Sequence, residues 1–214
     1  MGAGDPMLNG TAVPFRATPP ITAVMGGGFR LAIGEGFDDV LNAARAGAPW
    51  AFERLYTDLA PAVAGYLRLQ SAAEPEDLTS EAFLGVFARL SSFQGTEEKF
   101  RSWVFTIAHR RLIDERRRAV RNRSTPTASN EILDRIGGDT EQDALAVIGS
   151  RRVYELCAEL SDDQREVLIL RIVGDLTVEQ VSLIVDKSVG AVKALQRRAL
   201  MSLRRRVERE GVPL

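Results

Sequence analysis

The sequence contains one histidine, His109, and one cysteine, Cys157. A single imidazole supplies neither the usual zinc ligand set nor a His-based catalytic triad, so no metal and no cofactor is expected. A lone thiol closes no internal disulfide, and Cys157, in a helical stretch, reads as a buried structural residue rather than a reactive one. Residues 1–36 lack the uninterrupted apolar run that a signal peptide or a membrane span would need, so a cytoplasmic protein without membrane insertion is expected. The triple glycine at 26–28 lacks the strand, helix and lysine of a phosphate-cradling loop, so an enzyme acting on nucleic acid has little to work with. Strand-like alternation is also missing, apart from the ambiguous "REVLILRIV", which follows a helix cap and reads as buried helix.

Net charge is nearly absent, at -1, yet it conceals blocks of opposite sign. Six acids face one base between Glu74 and Glu98, and eight arginines face two acids between Arg101 and Arg123. Nine acids and three bases then lie between Glu131 and Asp163, and eight bases and three acids between Thr177 and Arg209. Charge sorted in this way implies several partners, or acidic segments that shield basic ones.

What is present is helical. Residues 1–36, rich in Gly, Pro, Ala and Thr, read as a disordered tail. "FDDVLNAARAG" and "PWAFERLYTDLAPAVAGYLRL" carry helix start and stop signals, with Pro49 in a first turn. "EPEDLTSEAFLGVFARLSSF" places Leu78, Ala82, Val86 and Leu90 on one stripe, and after a short loop a long helix runs from about Lys99 to Arg121. "NRSTPTASN" breaks the pattern and opens a linker assigned to 123–142. Beyond it, "SDDQ" and "TVEQ" match the capping box that starts a helix. The expected fold is all-α, with two small helical domains, 37–122 and 143–214, joined by a flexible linker, the second a helix-turn-helix.

The helix-turn-helix reading rests on the short helix from Thr177, the tight turn "DKS", and Ser188 as the cap of the next helix. At 100° per residue that last helix gathers Val192, Leu195, Ala199 and Leu203 on one side and Lys193, Arg197, Arg198, Arg204 and Arg205 on the other. A solvated basic face is the bland reading. Small residues Gly190, Ala191 and Ala194, where a backbone must approach closely, favour DNA reading through the major groove instead.

The earlier basic helix, "KFRSWVFTIAHRRLIDERRR", sets Val104, Ile107, Ala108 and Leu112 against His109, Arg110, Ile113, Arg116 and Arg117, with Trp103 and Phe105 on the flanks. Aromatics beside a basic face suit stacking on unpaired bases. Core packing explains Trp103 and Phe105 as well, and both readings stay open.

The order "EDLTSEAFLGVFARLSSF", "FRSWVFTIAHRRLIDERRR", linker, "LSDDQREVLILRIVGDLTVEQVSLIVDKSVGAVKALQRRAL" resembles the extracytoplasmic-function (ECF) group of the bacterial sigma-70 family, from about Phe37 to Val207. The resemblance implies a non-enzymatic transcription initiation factor. It would bind core RNA polymerase, direct it to promoter DNA and help open the minus-ten element. Asp77 and Glu81, four apart on one helix face, carry over as core polymerase contacts. "SFQGTEEK" matches the segment that captures a flipped promoter base, and Trp103, His109, Arg110, Asp114, Arg117 and Arg118 match the minus-ten grip. Lys187, Ser188, Lys193, Ala194, Arg197 and Arg198 match the minus-thirty-five reader. Arg110 stands where the family often has Asn, and Phe87 where it commonly has Trp. The resemblance also admits an anti-sigma protein as a partner. The alternative is a stand-alone helix-turn-helix repressor or activator that dimerises through its first domain.

Overall fold

The computed structural model describes residues 33–122, 153 and 155–209. The first unit comprises helices α1 (Phe37–Arg45), α2 (Pro49–Leu69), α3 (Pro75–Phe87) and α4 (Glu97–Asn122). The second comprises α5 (Asp162–Ile172), α6 (Val178–Ile184) and α7 (Val189–Arg209), preceded by helical residues 155–158. No strand occurs among the described residues. The linker assigned to 123–142 and most of the tail assigned to 1–36 lie outside them. At the end of that assigned tail, Gly34–Gly36 form a 3-10 turn.

Sequence-coded caps set the helix ends. Proline occupies the first turn of α2 and of α3, where its missing N–H costs nothing. Ser161 Oγ accepts from Gln164 N at 3.4 Å, the forward half of the expected box. Thr177 and Gln180 make both halves, at 3.2 and 2.8 Å. Ser188 Oγ accepts from Ala191 N at 3.2 Å, fixing the start of α7. Each cap contributes about 1 kcal/mol.

Two boundaries differ from expectation. The apolar stripe from Leu78 stays buried through Leu90, but α3 ends at Phe87 and Leu90 sits in a separate 3-10 turn, Leu90–Ser92. The α4 helix begins at Glu97 rather than Lys99, with both Glu97 and Glu98 in its first turn, where the helix dipole favours acids.

The core of the first unit forms where α2, α3 and α4 meet. Leu55, Leu59, Val63, Tyr66 and Leu67 of α2 pack with Phe83 and Val86 of α3 and Phe100, Val104, Phe105 and Leu112 of α4. This cluster does not stop at the first unit. It continues into Val167, Ile169, Leu170, Leu176, Val181, Ile184 and Val192, so the two units share one apolar core. Val173, just after α5, lies 3.7 Å from where a Cβ on Gly65 of α2 would stand. A smaller cluster of Leu160, Leu168 and Ala199 fastens α7 to α5. The turn between α5 and α6 depends on Gly174, because a Cβ there would stand 2.7 Å from the Leu170 carbonyl oxygen.

Cys157 is buried, as its sequence context suggests, and burial raises its thiol pKa. Both effects suppress the thiolate that reacts with alkylating reagents. Iodoacetamide is therefore expected to modify the native chain at least tenfold more slowly than the urea-unfolded chain. Equal rates in mass-spectrometric time courses would contradict the burial.

Candidate nucleic-acid interface

In α7 the sequence-predicted faces separate in space. Val192 and Ala199 are buried, while Lys193, Arg197 and Arg198 are exposed and Ala194 is half-buried. Arginine and lysine presented from a capped helix suit phosphate and base-edge contacts. Two residues of this set are already engaged. Lys187 pairs with Asp163 at 3.2 Å, and the Ser188 hydroxyl caps the helix.

In α4 the expected contacts divide into two groups. Arg110, Arg117 and Arg118 are exposed, and Asp114 sits 3.8 Å from Arg117. Arg116 instead turns back to donate to the Gln70 carbonyl at 2.7 Å. His109 is only 12% exposed and faces the second unit: its Nδ1 lies 3.1 Å from Glu166 Oε1 and 3.0 Å from the Tyr66 hydroxyl. Burial, with the Glu166 charge as a second cause, holds the Tyr66 phenol pKa well above its ordinary value, so the phenol stays protonated. Arg101, at 7% exposure, reaches Asp175 Oδ2 at 2.8 Å, and the Gln180 side chain donates to the Glu98 carbonyl at 3.2 Å. These contacts lay the second unit along the side of α4 that holds His109. Asp175 makes its contact from the left-handed region, at φ 49°.

Phe105 is core, with its ring 5.8 Å from that of Tyr66. Trp103 is half-buried and stacks on Phe93 at 5.1 Å with an interplanar angle of 22°, so one of its faces is used for packing. Phe93 closes the α3 end of the loop to α4, and Gln94, Gly95 and Thr96 at the loop tip are exposed. Gly95 is required there, because its φ is 150° and a Cβ would stand 2.9 Å from Lys99 Cδ.

The third surface is the outer face of α3, where Asp77 and Glu81 are both exposed. Leu84, which the sequence reading misses, shares that face at i+7 and i+3 and is 70% exposed. Its spacing from the two acids made Leu84 findable.

Such a molecule is an all-helical pair of units with a basic helix in each and an acidic face on the first. Residues 55–122 match Sigma-70 region 2, and residues 157–205 match Sigma-70, region 4. The ECF RNA polymerase sigma factor SigD of Mycobacterium tuberculosis is 30% identical over 186 residues, covering 83% of this chain and 87% of SigD. The ECF RNA polymerase sigma factor BldN of Streptomyces coelicolor is 32% identical over 171 residues, covering 78% of this chain and 64% of BldN. The chain thus spans just under two thirds of BldN. In fold it is similar to CnrH, solved with the cytosolic domain of CnrY, at a TM-score of 0.56 and 22% identity over 81% of this chain and 98% of that one. The chain belongs to the ECF sigma factors of the sigma-70 family.

Proposed function

We propose that the chain binds core RNA polymerase through the α3 face of Asp77, Glu81 and Leu84 and directs it to specific promoters. In this reading Lys193, Arg197 and Arg198 of α7, with Lys187, Ser188 and Ala194 beside them, engage the minus-thirty-five element. The 93–97 loop with Trp103, His109, Arg110, Asp114, Arg117 and Arg118 of α4 engages the opened minus-ten element. Flipping a base costs a few kcal/mol of stacking, which these contacts offset. The chain performs no catalysis, because the polymerase makes the bonds, and it works in the cytoplasm. No described helix is long and apolar enough to cross a membrane.

The observation that carries the proposal is the presence of two basic helices on separate units beside an exposed acidic and apolar face. A stand-alone repressor has no use for that third surface. Shielding of His109 by Glu166 adds that the free chain is closed and binds promoter DNA poorly until polymerase separates the units. An anti-sigma protein that holds the closed form is a further partner in this reading. RpoE of Bartonella quintana was solved with the anti-sigma factor NepR, and it shares this fold at a TM-score of 0.50 and 22% identity over 84% of this chain and 97% of that one.

Run-off transcription from genomic promoter fragments, with core polymerase alone and with this chain added, tests the function. Discrete transcripts that need both components support it. Unchanged transcription together with failure to co-purify with core would refute it. Within that assay Leu84→Asp is expected to weaken assembly with core about tenfold or more, because docking would bury an unpaired carboxylate in place of an apolar side chain. Circular dichroism should be unchanged, because Leu84 packs on little. Unaltered affinity in a fluorescence titration would remove Leu84 from the interface.

A further inference from the structure

The loop assigned to base capture is held at both ends by a segment that neither sigma-region match includes. At one end Arg45 of α1 donates to the Phe93 carbonyl. At the other, the Glu97 carboxylate accepts two backbone hydrogen bonds, from Ile33 N at 2.5 Å and from Gly34 N at 3.1 Å. Both matches begin later, at residues 55 and 157. Between the two anchors only Gln94, Gly95 and Thr96 are left fully exposed. A carboxylate that accepts from two successive backbone amides makes two charge-assisted bonds, which are stronger than neutral ones. The same Glu97 opens α4, so the start of that helix and the end of the loop move as one piece with residues 33–34.

We infer that Glu97 is a positioning residue for promoter base capture, and that Ile33 and Gly34 form the clasp that fixes its carboxylate. This rests on the sigma reading above. The clasp acts on the shape of the loop, not on DNA directly. Its loss should therefore leave assembly with core polymerase intact and blur the recognition of the captured base.

The backbone offers a clean test. Ile33 has φ -60° and ψ -27°, a conformation that proline accepts, so Ile33→Pro deletes the N–H donor without forcing a new φ. Glu97→Gln removes the charge and one of the two acceptors from the other side. Ile33→Ala keeps the donor and serves as control for the missing side chain.

Each variant is assembled as the full chain with core polymerase. Its affinity is measured for a minus-ten oligonucleotide taken from a promoter mapped by run-off, intact or abasic at the captured position. Wild-type and Ile33→Ala holoenzymes should prefer the intact strand. Ile33→Pro and Glu97→Gln should each reduce that preference about fivefold, and the double variant should lose no more than either single one, because coupled partners are not additive.

Retained preference in both single variants would overturn the clasp, as would losses that multiply in the double variant or a loss in Ile33→Ala. Absence of any chain-dependent transcription by the wild type would instead strike the sigma reading itself, so the two failures are distinguishable.

Discussion

Alanine at Lys193, Arg197 and Arg198 together is expected to lower holoenzyme affinity for duplex promoter DNA by two to three orders of magnitude at about 150 mM salt. Deleting a side chain that neutralises a phosphate should flatten the logarithmic salt slope by about 0.9, and deleting one that bonds a base edge should cost about 1–3 kcal/mol. The three side chains are exposed on the face of α7 opposite Val192 and Ala199, so their removal leaves the packing of the helix untouched. Filter binding across a salt series reads both quantities. A slope that stays constant would mean that this face does not meet the backbone. Substituting Arg117 and Arg118 of α4 should give a different phenotype, with duplex affinity nearly kept and open-complex formation slowed, because that helix is assigned to the opened element.

The helix starts were legible because short side chains encode them locally. Thr177, Gln180 and Ser188 bond to backbone amides within three residues, so the pattern of residue types is nearly the structure. The apolar faces of α4 and α7 were legible for the same reason, since Val104, Ile107, Ala108 and Leu112 recur with the helix period and all are buried. The break after Phe87 was not, because the stripe continues to Leu90 while the backbone tightens into a 3-10 turn.

What the sequence hid is how the two units meet. Arg101 pairs with a residue 74 positions away, and nothing local marks Asp175 as its partner. An arginine or histidine on a basic helix looks the same whether it awaits a phosphate or a carboxylate from another unit. His109 reads as a DNA contact on that pattern, and in the closed structure it is occupied by Tyr66 and Glu166. Glu166 is equally inconspicuous, since it lies in a stretch that reads as buried helix. The Glu97 clasp is silent in the sequence because its donors are backbone amides, which carry no residue signature.

That concealed contact gives the second large expected effect. Glu166→Lys with Asp175→Lys sets a cation against His109 and another against Arg101 along the inner side of α4. Removing one partner of a buried ion pair costs about 3–5 kcal/mol. For the Arg101–Asp175 pair the cost should be smaller, because Asp175 is 57% exposed. One reversal alone must also work against the apolar contact of Val173 with α2, and so both are needed. The doubly substituted free chain should show a larger radius of gyration by small-angle scattering, and about tenfold tighter binding to promoter DNA without polymerase, because the His109 face becomes accessible. Holoenzyme activity should change little, since in the proposed function polymerase binding separates the units. Charge exchange supplies the control: adding Arg101→Asp to the doubly substituted chain sets a carboxylate against the new cation at position 175 and should restore part of the compactness and the weak DNA binding. If the charge-reversed chain stays compact and its DNA affinity stays that of the wild type, the closed packing is not what limits promoter binding. The screening would then have to come from the acidic block between Glu131 and Asp163.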